Sequence, residues 1–259
     1  SSPSRGLGDV YKRQLYISLD RSLSFIPLID KFEATYRFLG GNAETLWFFS
    51  NLDAPNGKIL TLNISDKKFQ WKELIGEKTF PISSASIAGD KLIINYLKDT
   101  LSQVEFYDLQ GKFLKELPYE NIGTLSGFNG RFDSNTTYFE FSNFTSPQRI
   151  YELDLKSLEY SLYWETTIKN LNINNYVSKL DFYQSKDGTK IPIHLAHTKD
   201  LEIDKDTPVL LYGYGGFNIP ILPYFSKTFY MWIKSGGVLA VANLRAVSYT
   251  HLRAHETDY

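Results

Sequence analysis

Hydrophobic and polar positions alternate through most of this chain with the period of two that half-buried strands require. Val104, Phe106 and Leu109 stand against Glu105 and Asp108, and Tyr138, Phe139 and Phe141 make a β-type run. Polar turns punctuate these runs, among them Asn56-Gly57 and Gln110-Gly111, pairs suited to hairpin turns. Three stretches repeat one layout of strand, polar turn, strand, short turn and amphipathic strand, beginning at Glu44, Lys91 and Thr136. Ile64, Leu109 and Leu155 hold equivalent places before their turns, 45 and 46 residues apart. A period of about 40–50 residues built from short strands predicts propeller blades, each too small to bury its apolar face without neighbours. A β-sandwich is the alternative, but its strands recur every ~8–12 residues without the longer period. Three blades do not close a ring, since propellers need at least about four, so this reading expects further blades beyond these.

After about residue 168 the pattern changes. Residues 178–198 offer two strands joined by Lys186-Asp187-Gly188-Thr189, in which Asp-Gly supplies the positive φ of a tight turn. His194 and His197 lie three apart on the second strand, hence on opposite faces, and are expected as packed or exposed histidines rather than metal ligands. Two apolar runs follow, Pro208 to Tyr214 and Gly236 to Asn243. They suit strands of an α/β sheet covered on both faces, with Thr228 to Ser235 as a crossover helix. The chain thus combines a mostly β repeat with the opening of an α/β domain.

Composition narrows the function without naming it. A chain of 259 residues with 42% hydrophobic and 22% charged positions builds an ordinary folded core. A net charge of -1 gives no field to recruit nucleic acid or an anionic membrane, and the absence of cysteine removes disulfides and thiol chemistry. The longest apolar stretch, Gly236 to Ala242, falls far short of the ~18 residues that cross a bilayer. Residues 1–14 and 246–259 break the body's alternation abruptly and are read as foreign, adapter-like tails. That reading sets aside His251 and His255, which are four apart as in zinc helices but lack the glutamate after the first histidine. No metal is expected.

At residues 210–219, LLYGYGGFNI, and 236–245, GGVLAVANLR, the chain resembles the opening of the peptidase domain of the prolyl oligopeptidase family, serine endopeptidases that cut short peptides after proline. SKDGTKIP at 185–192 and FTSPQRIYELDL at 144–155 resemble the same family in the same order. The resemblance implies a seven-bladed β-propeller capping an α/β-hydrolase domain. Residues 15–168 would be a partial propeller of about three blades, and 169–245 the start of the hydrolase. It also implies site residues. Tyr214 matches the tyrosine whose hydroxyl donates to the developing oxyanion, Phe217 matches the aromatic lining the proline pocket, and Asn95 is expected to face the substrate cavity from the propeller. By themselves, Tyr212, Tyr214 and Phe217 also read as core aromatics around a tight turn.

The catalytic triad is a different matter. Family chemistry needs a serine on a G-x-S-x-G elbow followed by Asp and His. No such elbow occurs in this chain, the nearest stretch being Ala85-Ser86-Ile87-Ala88-Gly89, which lacks the first glycine. The expectation is therefore an inactive portion of a peptidase acting on short proline-containing peptides, without a cofactor, nucleic acid or membrane, from a monomeric parent whose compartment, cytoplasm or periplasm, the sequence leaves open. The alternatives are a non-catalytic binding propeller and a related oligopeptidase of different specificity.

Overall fold

The computed structural model describes residues 15–17, 26–29, 33–65, 69–119, 121–169, 171–215 and 220–244. The two tails read as foreign, with His251 and His255, lie outside the described residues, as does Phe217. A short antiparallel pair, β1 (Leu15–Ile17) and β2 (Ile26–Ile29), precedes three four-stranded antiparallel meanders. The first holds β3 (Tyr36–Gly41), β4 (Thr45–Ser50), β5 (Lys58–Asn63) and β6 (Trp71–Ile75). The second holds β7 (Ile82–Ala88), β8 (Lys91–Lys98), β9 (Leu101–Asp108) and β10 (Phe113–Glu116). The third holds β11 (Thr124–Asn129), β12 (Thr136–Ser142), β13 (Arg149–Asp154) and β14 (Tyr160–Glu165).

These are three propeller blades, and the repeat positions Ile64, Leu109 and Leu155 each follow directly on the third strand of a blade. The stretches recognised in the sequence start at the second strand of each blade. The first strands escaped because they do not alternate: YRFLGG, ISSASIA and TLSGFN are rich in small and polar residues. They are the strands by which the blades meet, β7 lying beside both β3 and β11. In β11 the register shifts at Gly127, whose φ of 101° and whose approach to the Tyr138 carbonyl leave no room for a Cβ.

In blade 2 the inner strand β8 is apolar at consecutive positions because it packs on both sides. Leu92, Ile94 and Tyr96 of β8, with Tyr107 of β9, pack toward blade 1 against Trp47, Ile59 and Ile75. The intervening Ile93, with Val104 and Phe106, packs toward blade 3 against Leu125, Phe128, Phe139 and Phe141. Both faces of the sheet are core. The alternation drawn from Glu105 therefore needs correction: it does not face solvent but is 7% exposed, on the blade 1 side. There Lys78 Nζ donates to its Oε2 at 2.6 Å and to Tyr107 Oη at 2.9 Å, and Tyr107 also donates to Glu105. The carboxylate is tolerated because it is paired.

A mixed sheet follows, with β15 (Tyr176–Gln184), β16 (Lys190–Thr198), β17 (Val209–Gly213) and β18 (Val238–Ala242) in the order β15-β16-β18-β17. The β15–β16 hairpin turns at Gly188, φ 83°, as the Asp-Gly pair predicts. β17 and β18 are parallel, joined through helix α1 (Lys227–Lys234), one residue earlier at each end than the predicted crossover helix. α1 buries Phe229, Tyr230 and Ile233. The expectation that both apolar runs are covered on both faces holds for β18, which is buried throughout, but not for β17. β17 is the sheet edge, with Leu211 67% and Val209 55% exposed, because no described element lies over its outward side.

Candidate functional site at the seam between propeller and sheet

Blade 3 reaches the sheet through the β12–β13 loop. Asn143 shapes this loop by accepting from the backbone N–H of Thr145 and of Ser146 at 2.9 and 2.7 Å, while its own Nδ2 donates to the Ile122 carbonyl at 2.8 Å. That turn drives the Phe144 ring, fully buried, into the sheet's own core of Ala196, Phe229, Ile233, Leu239 and Val241. A second tie runs from Thr124 Oγ1 to the Pro223 carbonyl at 2.7 Å.

The third tie is His194. It is fully buried on β16, with Nε2 2.6 Å from Oγ1 of Thr100 in the β8–β9 turn and its ring 5.6 Å from that of Phe144. Thr100 gives its single hydroxyl proton to the Asp99 carbonyl. Donor counting then makes Nε2–H the donor to Thr100 and leaves Nδ1, which has no partner, as the unprotonated nitrogen. Burial holds the imidazole well below its ordinary range, at about 4, so it is neutral at physiological pH. Sequence placed His194 and His197 on a strand; the contact with Thr100, 94 residues away, carries no sequence signal.

The carboxyl ends of the parallel strands β17 and β18 lie side by side. Gly213 of β17 stands opposite Ala242 of β18, so Tyr214 and Asn243 are the next residues on the two strands. Tyr214 is half-buried. Ligands of open α/β sheets bind at such strand ends. Asn95 is placed differently from its expectation. It follows the alternation of β8 toward blade 3, is 4% exposed, and donates through Nδ2 to the Leu125 carbonyl at 2.9 Å. It joins two blades instead of facing an open cavity, because a strand between two blades directs its side chains sideways. Among the described residues, no three His, Asp or Glu gather as metal ligands, and no helix is long and apolar enough to cross a membrane.

Comparison with known proteins assigns this architecture. The profile of the prolyl oligopeptidase N-terminal beta-propeller domain matches residues 9–166. The chain belongs to the prolyl oligopeptidase family. It is 35% identical over 234 residues to a prolyl endopeptidase of Elizabethkingia meningoseptica, covering 90% of this chain and 33% of that protein. To a prolyl endopeptidase of Dictyostelium discoideum it is 32% identical, over 84% of this chain and 30% of the relative. A solved prolyl endopeptidase superposes with a TM-score of 0.81 at 31% identity, covering 91% of this chain and 35% of that one. Prolyl oligopeptidase B of Galerina marginata, bound to a 35-residue substrate, has the same fold, with a TM-score of 0.82 at 23% identity. The chain spans about a third of the length of the curated relatives it matches.

Proposed function

We propose that this chain is a section of a serine-type prolyl oligopeptidase that hydrolyses short peptides after proline. In this reading residues 15–168 are about three propeller blades, and 169–245 open the α/β-hydrolase domain that carries the chemistry. The observation that carries it is the docked arrangement of a partial propeller and a β-α-β sheet, with Phe144 of blade 3 seated in the sheet's core and Tyr214 directly after β17. Tyr214 donates its hydroxyl to the oxyanion that forms on the scissile carbonyl, and Phe217 offers a flat apolar wall to the proline ring. A phenol at that strand end stabilises charge that exists only in the transition state, so its effect falls on kcat. The nucleophile, its histidine base and the orienting aspartate are not supplied by this chain, which on its own is inactive. The propeller restricts access to the seam and so confines the substrates to short peptides.

The test is hydrolysis of a proline-containing chromogenic peptide by the whole protein and by its Tyr214→Phe variant. Loss of one oxyanion donor lowers kcat by about 10²–10³-fold. An unchanged kcat, or turnover by the 259-residue chain alone, overturns the assignment.

A further inference from the structure

A cavity of about 330 Å³ lies where the chain crosses from blade 3 to the sheet. On the propeller side it is lined by the β12–β13 loop, with Asn143, and by Arg149 at the start of β13. On the other side it is lined by Asn174, the first residues of β15, and Lys199 just past β16. Lys199 is fastened to the crossing segment, since its backbone N–H donates to the Asn175 carbonyl at 2.8 Å and its Nζ to the Asn174 carbonyl at 3.4 Å. The lining thus holds one cation from each body and no carboxylate. Arg149 has one ion pair among the described residues, from Nε to Glu165 at 3.4 Å, and Glu165 stands outside this lining. No carboxylate among the described residues pairs with Lys199. Asn121, Asn174 and Lys199 are exposed, so the cavity is reached directly from solvent.

The chemistry of these groups selects the ligand. Two cations lining one cavity repel each other, and an anion between them turns that repulsion into two attractions. A guanidinium offers paired N–H groups to two oxygens of one carboxylate or phosphate, and an ammonium meets a further oxygen as a point charge. A halide fills one of these places and leaves the other donors unmet. We propose that this cavity binds a small divalent oxyanion, phosphate or a dicarboxylate, held between Arg149 of blade 3 and Lys199 of the sheet. The exposed carboxamides of Asn121 and Asn174 belong to the same lining and add neutral donors. Bound there, the anion fastens blade 3 to the sheet at the point where the chain passes between them. The inference goes beyond the peptidase reading and does not rest on it, because neither cation belongs to the strand end that leads to Tyr214.

Two measurements on the 259-residue chain test the assignment. Calorimetric titration with inorganic phosphate, in chloride at constant ionic strength, is expected to show saturable binding of one equivalent. A parallel titration with succinate separates the two sources, the tighter of the two ligands identifying the site as one for phosphate or for a dicarboxylate. Arg149→Gln and Lys199→Gln are each expected to weaken binding at least about tenfold, the worth of one charged hydrogen bond. Lys199 is exposed, so its variant keeps the fold and decides the matter where Arg149→Gln misfolds. The urea midpoint of the parent is expected to rise with the bound anion, and that of Lys199→Gln to stay level, because a ligand of the folded state alone stabilises it. Binding of neither anion overturns the proposal. Undiminished binding by Lys199→Gln, or an equal rise of both midpoints, means an adventitious ion only and also overturns it. If Tyr214→Phe leaves kcat intact, the peptidase reading fails while these titrations still decide the anion site.

Discussion

Acid is expected to weaken this protein through His194. In the folded chain the imidazole is fully buried, its Nε2 engaged with Thr100 and its Nδ1 buried without a hydrogen-bond partner. Desolvation lowers it from 6.5 to about 4. The unfolded chain therefore binds a proton that the folded chain refuses. This contribution is fully present above pH ~6.5, is lost progressively as pH falls toward ~4, and is level below that. Across this window it amounts to about 3 kcal/mol, a large share of the ~5–15 kcal/mol that keeps a domain folded. The assay is urea unfolding of the 259-residue chain from pH 7.5 to 4, compared with His194→Gln, which does not titrate. The parent is expected to lose about 3 kcal/mol more than the variant over that range. Carboxylates titrating at the lower end affect both proteins and cancel in the difference. Thr100→Val, by contrast, is expected to cost about 1–2 kcal/mol already at pH 7 by removing the acceptor of Nε2–H. Equal pH slopes for parent and His194→Gln would refute the reasoning, because a buried neutral imidazole must show itself in the proton balance of unfolding.

Other substitutions address the packing that positions the site. Phe144→Ala empties the sheet core of the ring that blade 3 inserts and is expected to lower unfolding free energy by about 3–5 kcal/mol, measured by urea titration. Lys78→Met leaves the Glu105 carboxylate buried without its cation. Since the Lys78 side chain is 41% exposed, the expected loss is about 1–3 kcal/mol, reversed in part by adding Glu105→Leu. Leu211→Lys alters an outward position on the sheet edge. Stability is expected to stay within about 0.5 kcal/mol, and self-association, measured by sedimentation, to decrease.

Much of the architecture was legible along the chain. Strands that bury one or both faces carry their apolar residues in order, and a propeller repeats that order every blade, so Ile64, Leu109 and Leu155 mark the third strands without any coordinates. The hairpin at Gly188 and the crossover helix α1 were likewise readable, because a positive φ and a buried helix face each demand particular residue types locally. The blade-joining strands β3, β7 and β11 were not readable. Their small, polar side chains answer to neighbouring blades rather than to a solvent boundary, which erases the alternation.

The sequence alone determined the kind of element, its period and the family likeness, since these depend on residues close together in the chain. Through that likeness alone it put Tyr214 forward as a candidate; by itself the glycine-rich run reads equally as core aromatics around a turn. Only the tertiary structure decided which way a side chain between two blades points, and so turned Asn95 toward Leu125 and buried Glu105 against Lys78. It alone brought Thr100 to His194 and left Asn243 unpaired beside Tyr214. Such contacts join residues far apart in sequence, and their energies arise from burial and from the lack of partners, quantities that exist only once the chain has closed around them.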